Sequence, residues 1–205
     1  MTHKEIANIP KDHVVTYTRL VVDYQQQKED PNRVRMTAGR NLINYPFELT
    51  TKTANITTAK ILCNSVISTE GTRYMCLDIK KNYLGTPLDR FEYMKILLSL
   101  FLPHTVEQYD LQRLAKDGFV YVEIQKAIYG LPQAGILANK LLKKRLKPHG
   151  YYKVPHTPEL WRHISRPIQF TLVVDDFWIK YVGQKHIEHL LQAIKTHYKV
   201  SEDWE

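Results

Sequence analysis

Apolar positions along the chain follow two rhythms. A period near 3.6 predicts three helices. Over residues 54–67, Ile56, Ala59, Cys63, Val66 and Ile67 share one face, with Thr53 or Asn55 as the cap. Over 134–146, Leu137, Leu141, Leu142 and Leu146 form a stripe opposite Lys140, Lys143, Lys144 and Arg145, and Pro148 and Gly150 end it. Over 185–198 the stripe is Ile187, Leu190, Leu191, Ile194 and Tyr198. A weaker helical pattern covers 105–116 and stops at Asp117-Gly118.

The second rhythm is that of strands. Residues 13–24 are rich in Val, Thr and Tyr. The turn signal Glu29-Asp30-Pro31-Asn32 precedes a short basic strand over 33–37. Residues 74–79 form an apolar run, 119–124 alternate, and 168–174 and 177–182 flank Asp175-Asp176. Strands and helices interleave, which predicts an α/β or α+β class with a single sheet backed by helices.

Composition narrows the classes. The 205 residues are 43% hydrophobic and 24% charged, an ordinary globular balance that argues against disorder. Two cysteines, Cys63 and Cys76, are too few for a disulfide scaffold. No apolar run reaches the roughly 20 residues of a membrane span, and the first residues lack the apolar core of a secretory leader. A cytoplasmic or nuclear protein is the expectation. The net charge of +8 favours polyanion partners, nucleic acid first.

The chemistry concentrates in acidic residues. Asp175 and Asp176 stand between two apolar, strand-forming runs, where the plainest reading is a polar hairpin tip. Asp78 ends another apolar strand, and a carboxylate there needs a partner. Three carboxylates on neighbouring strands repel one another, and hard divalent cations relieve that repulsion. Two such ions about 3.5–4 Å apart clamp the attacking and leaving oxygens of a phosphoryl transfer. A polymerase and a nuclease both use this set, so the spacing alone predicts metal-dependent phosphoryl chemistry.

Three ordered segments then resemble the motifs of reverse transcriptases. Leu77-Asp78-Ile79-Lys80-Lys81-Asn82-Tyr83-Leu84-Gly85 resembles motif A. Ala127-Ile128-Tyr129-Gly130-Leu131-Pro132-Gln133-Ala134-Gly135 resembles motif B, in which Leu-Pro-Gln opens a helix. Val173-Val174-Asp175-Asp176 resembles motif C, the Asp-Asp hairpin. Tyr-Gly-Leu before Gln133 and Tyr-Leu-Gly after Asp78 are similar to polymerases of LTR retrotransposons of the copia class. The likeness runs from about Val14 to Trp204.

The resemblance implies an α+β fingers–palm fold: an N-terminal extension over 1–13, a fingers-like segment over 14–73 and a palm over 74–205. It implies RNA-directed DNA polymerase activity on an RNA template, a DNA primer and dNTPs. Asp78, Asp175 and Asp176 would hold two Mg²⁺ or Mn²⁺ ions. Tyr83, five positions after Asp78, would be the aromatic gate that excludes a 2′-hydroxyl, and Gln133 would contact the incoming nucleotide. Arg33 or Arg35 would clamp the triphosphate, with Arg19 a third candidate. Lys140, Lys143, Lys144, Arg145 and Lys147 make a basic helix face that could touch template phosphates. His186 and His189 stand three apart with no completing ligand set nearby, and are expected to be surface histidines.

Some features depart from the family. The resemblance implies last palm strands, a primer grip and a thumb after motif C, and the expectation is a fingers–palm portion that stops short of them. Lys81 adds a base inside motif A, and Phe177-Trp178 puts bulk beside the aspartates, from packing into the palm or from decay of the copy. The alternative reading is therefore an inactive, truncated copy that acts at most as a nucleic-acid-binding palm fragment, with a metal-dependent nuclease third.

Overall fold

A computed structural model of the chain describes residues 1–24, 26, 31–49, 53–173 and 176–204. Short-range chemistry sets the first element, α1 (His3–Ala7). Thr2 accepts from the Glu5 amide, and the Glu5 carboxylate accepts from the Thr2 amide at 2.6 Å, a reciprocal cap. Next come β1 (Val15–Tyr24), β2 (Asn32–Ala38) and α2 (Ile56–Ile67). Of the two expected caps of α2, Asn55 serves: its Oδ1 accepts from Thr57 N at 2.9 Å. The chain continues through β3 (Thr72–Ile79), β4 (Pro87–Leu97), α3 (Pro103–Gln108), α4 (Leu111–Leu114), β5 (Phe119–Lys126) and α5 (Ala134–Leu146). It closes with β6 (Tyr151–Lys153), β7 (Leu160–His163), β8 (Ile168–Val173), β9 (Asp176–Val182), α6 (Gln184–Lys195) and β10 (Val200–Trp204). The class is mixed α+β.

Two compact units share these elements, Met1–Leu49 with Thr86–Leu137, and Thr50–Gly85 with Ala138–Glu205. The expected segments 14–73 and 74–205 each contribute to both. The first unit holds a four-stranded sheet in the order β2-β1-β4-β5, parallel only between β1 and β4. Val15–Tyr17 pair with β4, and the rest of β1 pairs with β2. That hairpin puts Leu20, Val22, Val34 and Met36 on one exposed face and Arg19, Arg33 and Arg35 on the other.

The second unit holds a six-stranded sheet, β10-β3-β9-β8-β7-β6, antiparallel throughout. Met75, Leu77, Ile79, Phe170, Leu172, Phe177 and Ile179 point to one face. There they meet Leu142 and Leu146 of α5 and Ile187, Leu190, Leu191 and Ile194 of α6. Each such side chain contributes about 1.5–3 kcal/mol by burial, so this layer dominates the unit's stability. Against the opposite face lies α2: Lys180 Nζ donates to Ser65 O at 2.7 Å, and Thr72 Oγ1 to Val66 O at 2.6 Å.

Several expectations are corrected. There are two sheets rather than one. The first was hidden because its central strand, β4, carries half-buried Arg90 and fully buried Glu92 on the inward face that apolar residues normally mark. The expected helix over 105–116 is two short helices, broken where Asp110 takes φ 47°. On α2 the inward residues are Ala59 and Leu62, whereas Ile56 and Ile67 are exposed. Tyr198 lies beyond α6, whose last residue is Lys195, yet still packs on the core. As expected, α5 ends before Pro148, and Gly150 takes φ 82°.

Candidate active site

The strand pairing of the second unit juxtaposes two of the three aspartates. In the β3–β9 ladder Asp78 lies directly opposite Asp176, and in the β8–β9 ladder Asp176 lies opposite Val173. On its other edge β3 pairs Asp78 with Ser201. Directly opposite residues share a sheet face, with Cβ atoms about 4.5–5.5 Å apart. Ser201, Asp78, Asp176 and Val173 thus form one row across four strands. Asp78 is half-buried and Asp176 exposed.

The alternation that aims these carboxylates is built into the strands. Leu77 and Ile79 flank Asp78 and are 2% and 1% exposed. Phe177, next to Asp176, is fully buried in the same core. Burial of the neighbours forces the aspartates to the opposite face. The bulk after the motif therefore belongs to the packing: Phe177 fills the core, and Trp178 is half-buried opposite Cys76 and Thr171.

Asp175 lies outside the described residues. Among the described residues, no set of three His, Cys, Asp or Glu side chains is placed to hold a metal ion. The oxygen donors of Asp78 and Asp176, on adjacent positions of one sheet face, fit a hard divalent cation in kind. Tyr83 opens a short 3-10 turn, Tyr83–Gly85, and is half-buried.

Gln133, Arg33, Arg35 and Arg19 belong to the first unit. Gln133 is wholly enclosed, and its Nε2 donates to Glu92 Oε1 at 3.0 Å. Its carbonyl accepts from Leu137 N at 3.1 Å, which starts α5. Glu92 is itself buried, and loss of hydration holds its carboxyl above the ordinary range, against the pull of Arg90 at 3.9 Å and the Gln133 bond. Arg90 Nε in turn donates to His13 Nε2 at 2.7 Å. Sequence patterning did not reveal Glu92; a carboxylate within an otherwise alternating stretch was the available sign.

Arg33 and Arg35 are half-buried on β2, and the Arg35 guanidinium stands 5.5 Å from the centroid of the Tyr129 ring. Ala38 N donates to Tyr129 O at 2.8 Å, and Gly130 follows at φ 93°. The basic strand and the motif B turn are thereby joined. Arg19 is exposed on β1 opposite Thr37.

The basic face of α5 divides. Lys140, Lys143, Lys144 and the following Lys147 are exposed, whereas Arg145 is half-buried with its guanidinium 4.6 Å from the Tyr198 ring centroid. His186 and His189 are half-buried rather than on the surface. His189 Nδ1 shares a hydrogen bond with Tyr151 Oη at 3.0 Å, and its ring meets His163 at 5.4 Å and His149 at 6.3 Å. Burial pushes the imidazoles of His163 and His189 down, and the positive charge of Arg166 adds to this. Histidines from scattered elements gather here, which no local spacing could signal.

No helix among the described residues is long and apolar enough to cross a membrane. No family model and no curated protein matches the chain. Among solved structures it is similar to an apo telomerase from Candida tropicalis, truncated from its C-terminal domain, at 11% identity and a TM-score of 0.46. That similarity covers 92% of this chain and 50% of the telomerase chain, so the chain spans about half the length of that structure.

Proposed function

We propose that the chain is the fingers–palm portion of an RNA-directed DNA polymerase, of the kind encoded by copia-like retrotransposons. The observation that supports it most is the register that sets Asp78 of motif A opposite Asp176 of motif C. Two carboxylates far apart in sequence, each the polar end of an apolar strand, meet on one sheet face. Packing alone gives no reason for two like charges directly opposite each other.

In this reading Asp78, Asp175 and Asp176 hold two Mg²⁺ or Mn²⁺ ions, which when bound supply Lewis acidity for attack of a primer 3′-hydroxyl on the α-phosphate. The Tyr83 ring lies against the deoxyribose and leaves no room for a 2′-hydroxyl. Arg33 or Arg35 binds the triphosphate through charge-assisted hydrogen bonds. Gln133, enclosed and bonded to Glu92, acts by fixing the start of α5. The exposed Lys140, Lys143, Lys144 and Lys147 attract template phosphates.

Primer extension on poly(rA)–oligo(dT) with dTTP and Mg²⁺ or Mn²⁺ tests this reading, with Asp78→Ala and Asp175→Ala alongside. Extension that disappears in both variants supports it. Salt-dependent template binding without extension, in the chain and in a version lengthened by a thumb, would leave a nucleic-acid-binding palm fragment instead.

A further inference from the structure

Glu159 is 5% exposed and takes φ 52°, in the left-handed region that L side chains disfavour. Both of its carboxylate oxygens are engaged. Oε1 accepts from Lys153 Nζ, and Oε2 accepts from Trp161 Nε1 at 3.2 Å. Lys153 Nζ also donates to Asn139 Oδ1 and stands 5.2 Å from the centroid of the fully buried Trp161 ring. Side chains from α5, β6 and β7 thus converge on one carboxylate.

The backbone of the same glutamate holds the end of β8. The β7–β8 ladder runs as far as Leu160 opposite Thr171. The next amide of β8, Leu172 N, donates to Glu159 O at 3.1 Å. The residue after it, Val173, lies opposite Asp176. A buried ion pair adds little to stability, because desolvation offsets the attraction, and its attested use is to fix one arrangement of a chain. A left-handed glutamate likewise persists only where its surroundings over-determine it. Here ion pair and strained backbone act on one carbonyl.

We propose that Glu159 is a positioning residue: held left-handed by Lys153 and Trp161, it fixes the end of β8 and with it the strand pairing that presents Asp176. The role rests on the reading of Asp176 as a cation ligand of a polymerase, although the clamp itself is measurable without metal.

The test uses the intact chain and Glu159→Gly, compared by amide hydrogen exchange in metal-free buffer and by Mn²⁺ titration followed by electron paramagnetic resonance. Glycine takes a positive φ freely, so this variant keeps the backbone path open and removes the tether. Exchange at Leu172 should accelerate at least about tenfold, and Mn²⁺ should bind about tenfold more weakly, with far-ultraviolet circular dichroism unchanged. Lys153→Arg keeps a cation against Glu159 and should match the parent in both. Trp161→Phe removes only the donor to Oε2 and should move both readouts the same way by less, which keeps the test open should Glu159→Gly fail to fold. Unchanged protection of Leu172 overturns the clamp, whatever the metal does. Faster exchange with the parent's Mn²⁺ affinity overturns the positioning role. A parent that binds no Mn²⁺ overturns the polymerase reading and this role with it, whereas exchange at Leu172 still decides the clamp.

Discussion

Gln133 and Glu92 are bonded side chain to side chain at 3.0 Å, and neither exposes more than 1% of its surface. This pair ties the first turn of α5 to the centre of the four-stranded sheet. Glu92→Ala leaves the buried Gln133 amide without its acceptor and removes the carboxylate 3.9 Å from the Arg90 guanidinium. It should cost about 2–3 kcal/mol, read as a lower urea midpoint at unchanged slope. Glu92→Gln keeps the shape and an acceptor, and should cost less than half as much. Equal stability of the alanine variant and the parent would show that the pair carries no net weight.

Because burial raises the Glu92 carboxyl, the folded state binds a proton there more readily than the unfolded chain. Its contribution is fully present below the unfolded glutamate pKa and declines as pH rises through the raised folded value. In melting curves between about pH 4 and pH 8, the deficit of Glu92→Gln relative to the parent should therefore be largest at the acid end and shrink as pH rises. A difference independent of pH would refute the assignment.

Asp78 opposite Asp176 gives a pair of opposite signs to measure. Without divalent metal, Asp176→Asn removes a like-charge contact and should raise stability by about 0.2–1 kcal/mol. With Mn²⁺ present, the parent should gain thermal stability with metal concentration and the variant should gain little. A variant that is destabilised in metal-free buffer, or equally protected by Mn²⁺, contradicts the shared-cation reading.

Gly130 takes φ 93°, and a Cβ there would stand 2.1 Å from the Ala38 carbonyl oxygen. Neither backbone can yield cheaply. Gly130→Ala should lose at least about 2 kcal/mol and loosen the union of β2 with the Tyr129 turn. Hydrogen exchange at the Ala38 amide, which donates to Tyr129 O, should accelerate. Unchanged protection would mean that the turn adjusts elsewhere.

The cluster of His149, His163, His189 and Tyr151, with Arg166 as a neighbouring cation, sets an acid limit on the second unit. His163 and His189 titrate below their unfolded value. Their contribution is present above the unfolded pKa, near 6.5, and is lost as pH falls through the depressed folded values. His163 Nδ1 also accepts from Ser165 N and Arg166 N, each at 3.0 Å, and protonation there forfeits both bonds. Melting temperature should drop below about pH 6.5, and less so in His189→Phe.

The parts of the fold legible in the sequence are those where burial and periodicity coincide. α5 has the predicted bounds because its leucine stripe is uninterrupted and Pro148 follows it. The strands around the aspartates were visible because Leu77, Ile79, Phe177 and Ile179 mark one face cleanly. β4 was not, since Glu92 and Arg90 occupy the inward positions of an interior strand and are satisfied by partners from distant segments. The short β6 and β7, of three and four residues, carry too few positions to show a period. Of the site, the chemical residues were legible, but the enclosure of Gln133 and the assembly of the histidines depend on contacts between segments that no window of sequence contains.

β3 is bracketed on both edges, by β10 and by β9. Its position along the sheet is consequently quantised. A shift by one residue would carry Asp78 into the oily layer now filled by Leu77 and Ile79, and would strand a large aliphatic group where the carboxylate stood. Intermediate settings do not exist, and the wrong one is prohibitively costly on both faces at once. The placement of this carboxylate is thus discrete, like the tooth of a gear, and is fixed by apolar neighbours that take no part in its chemistry.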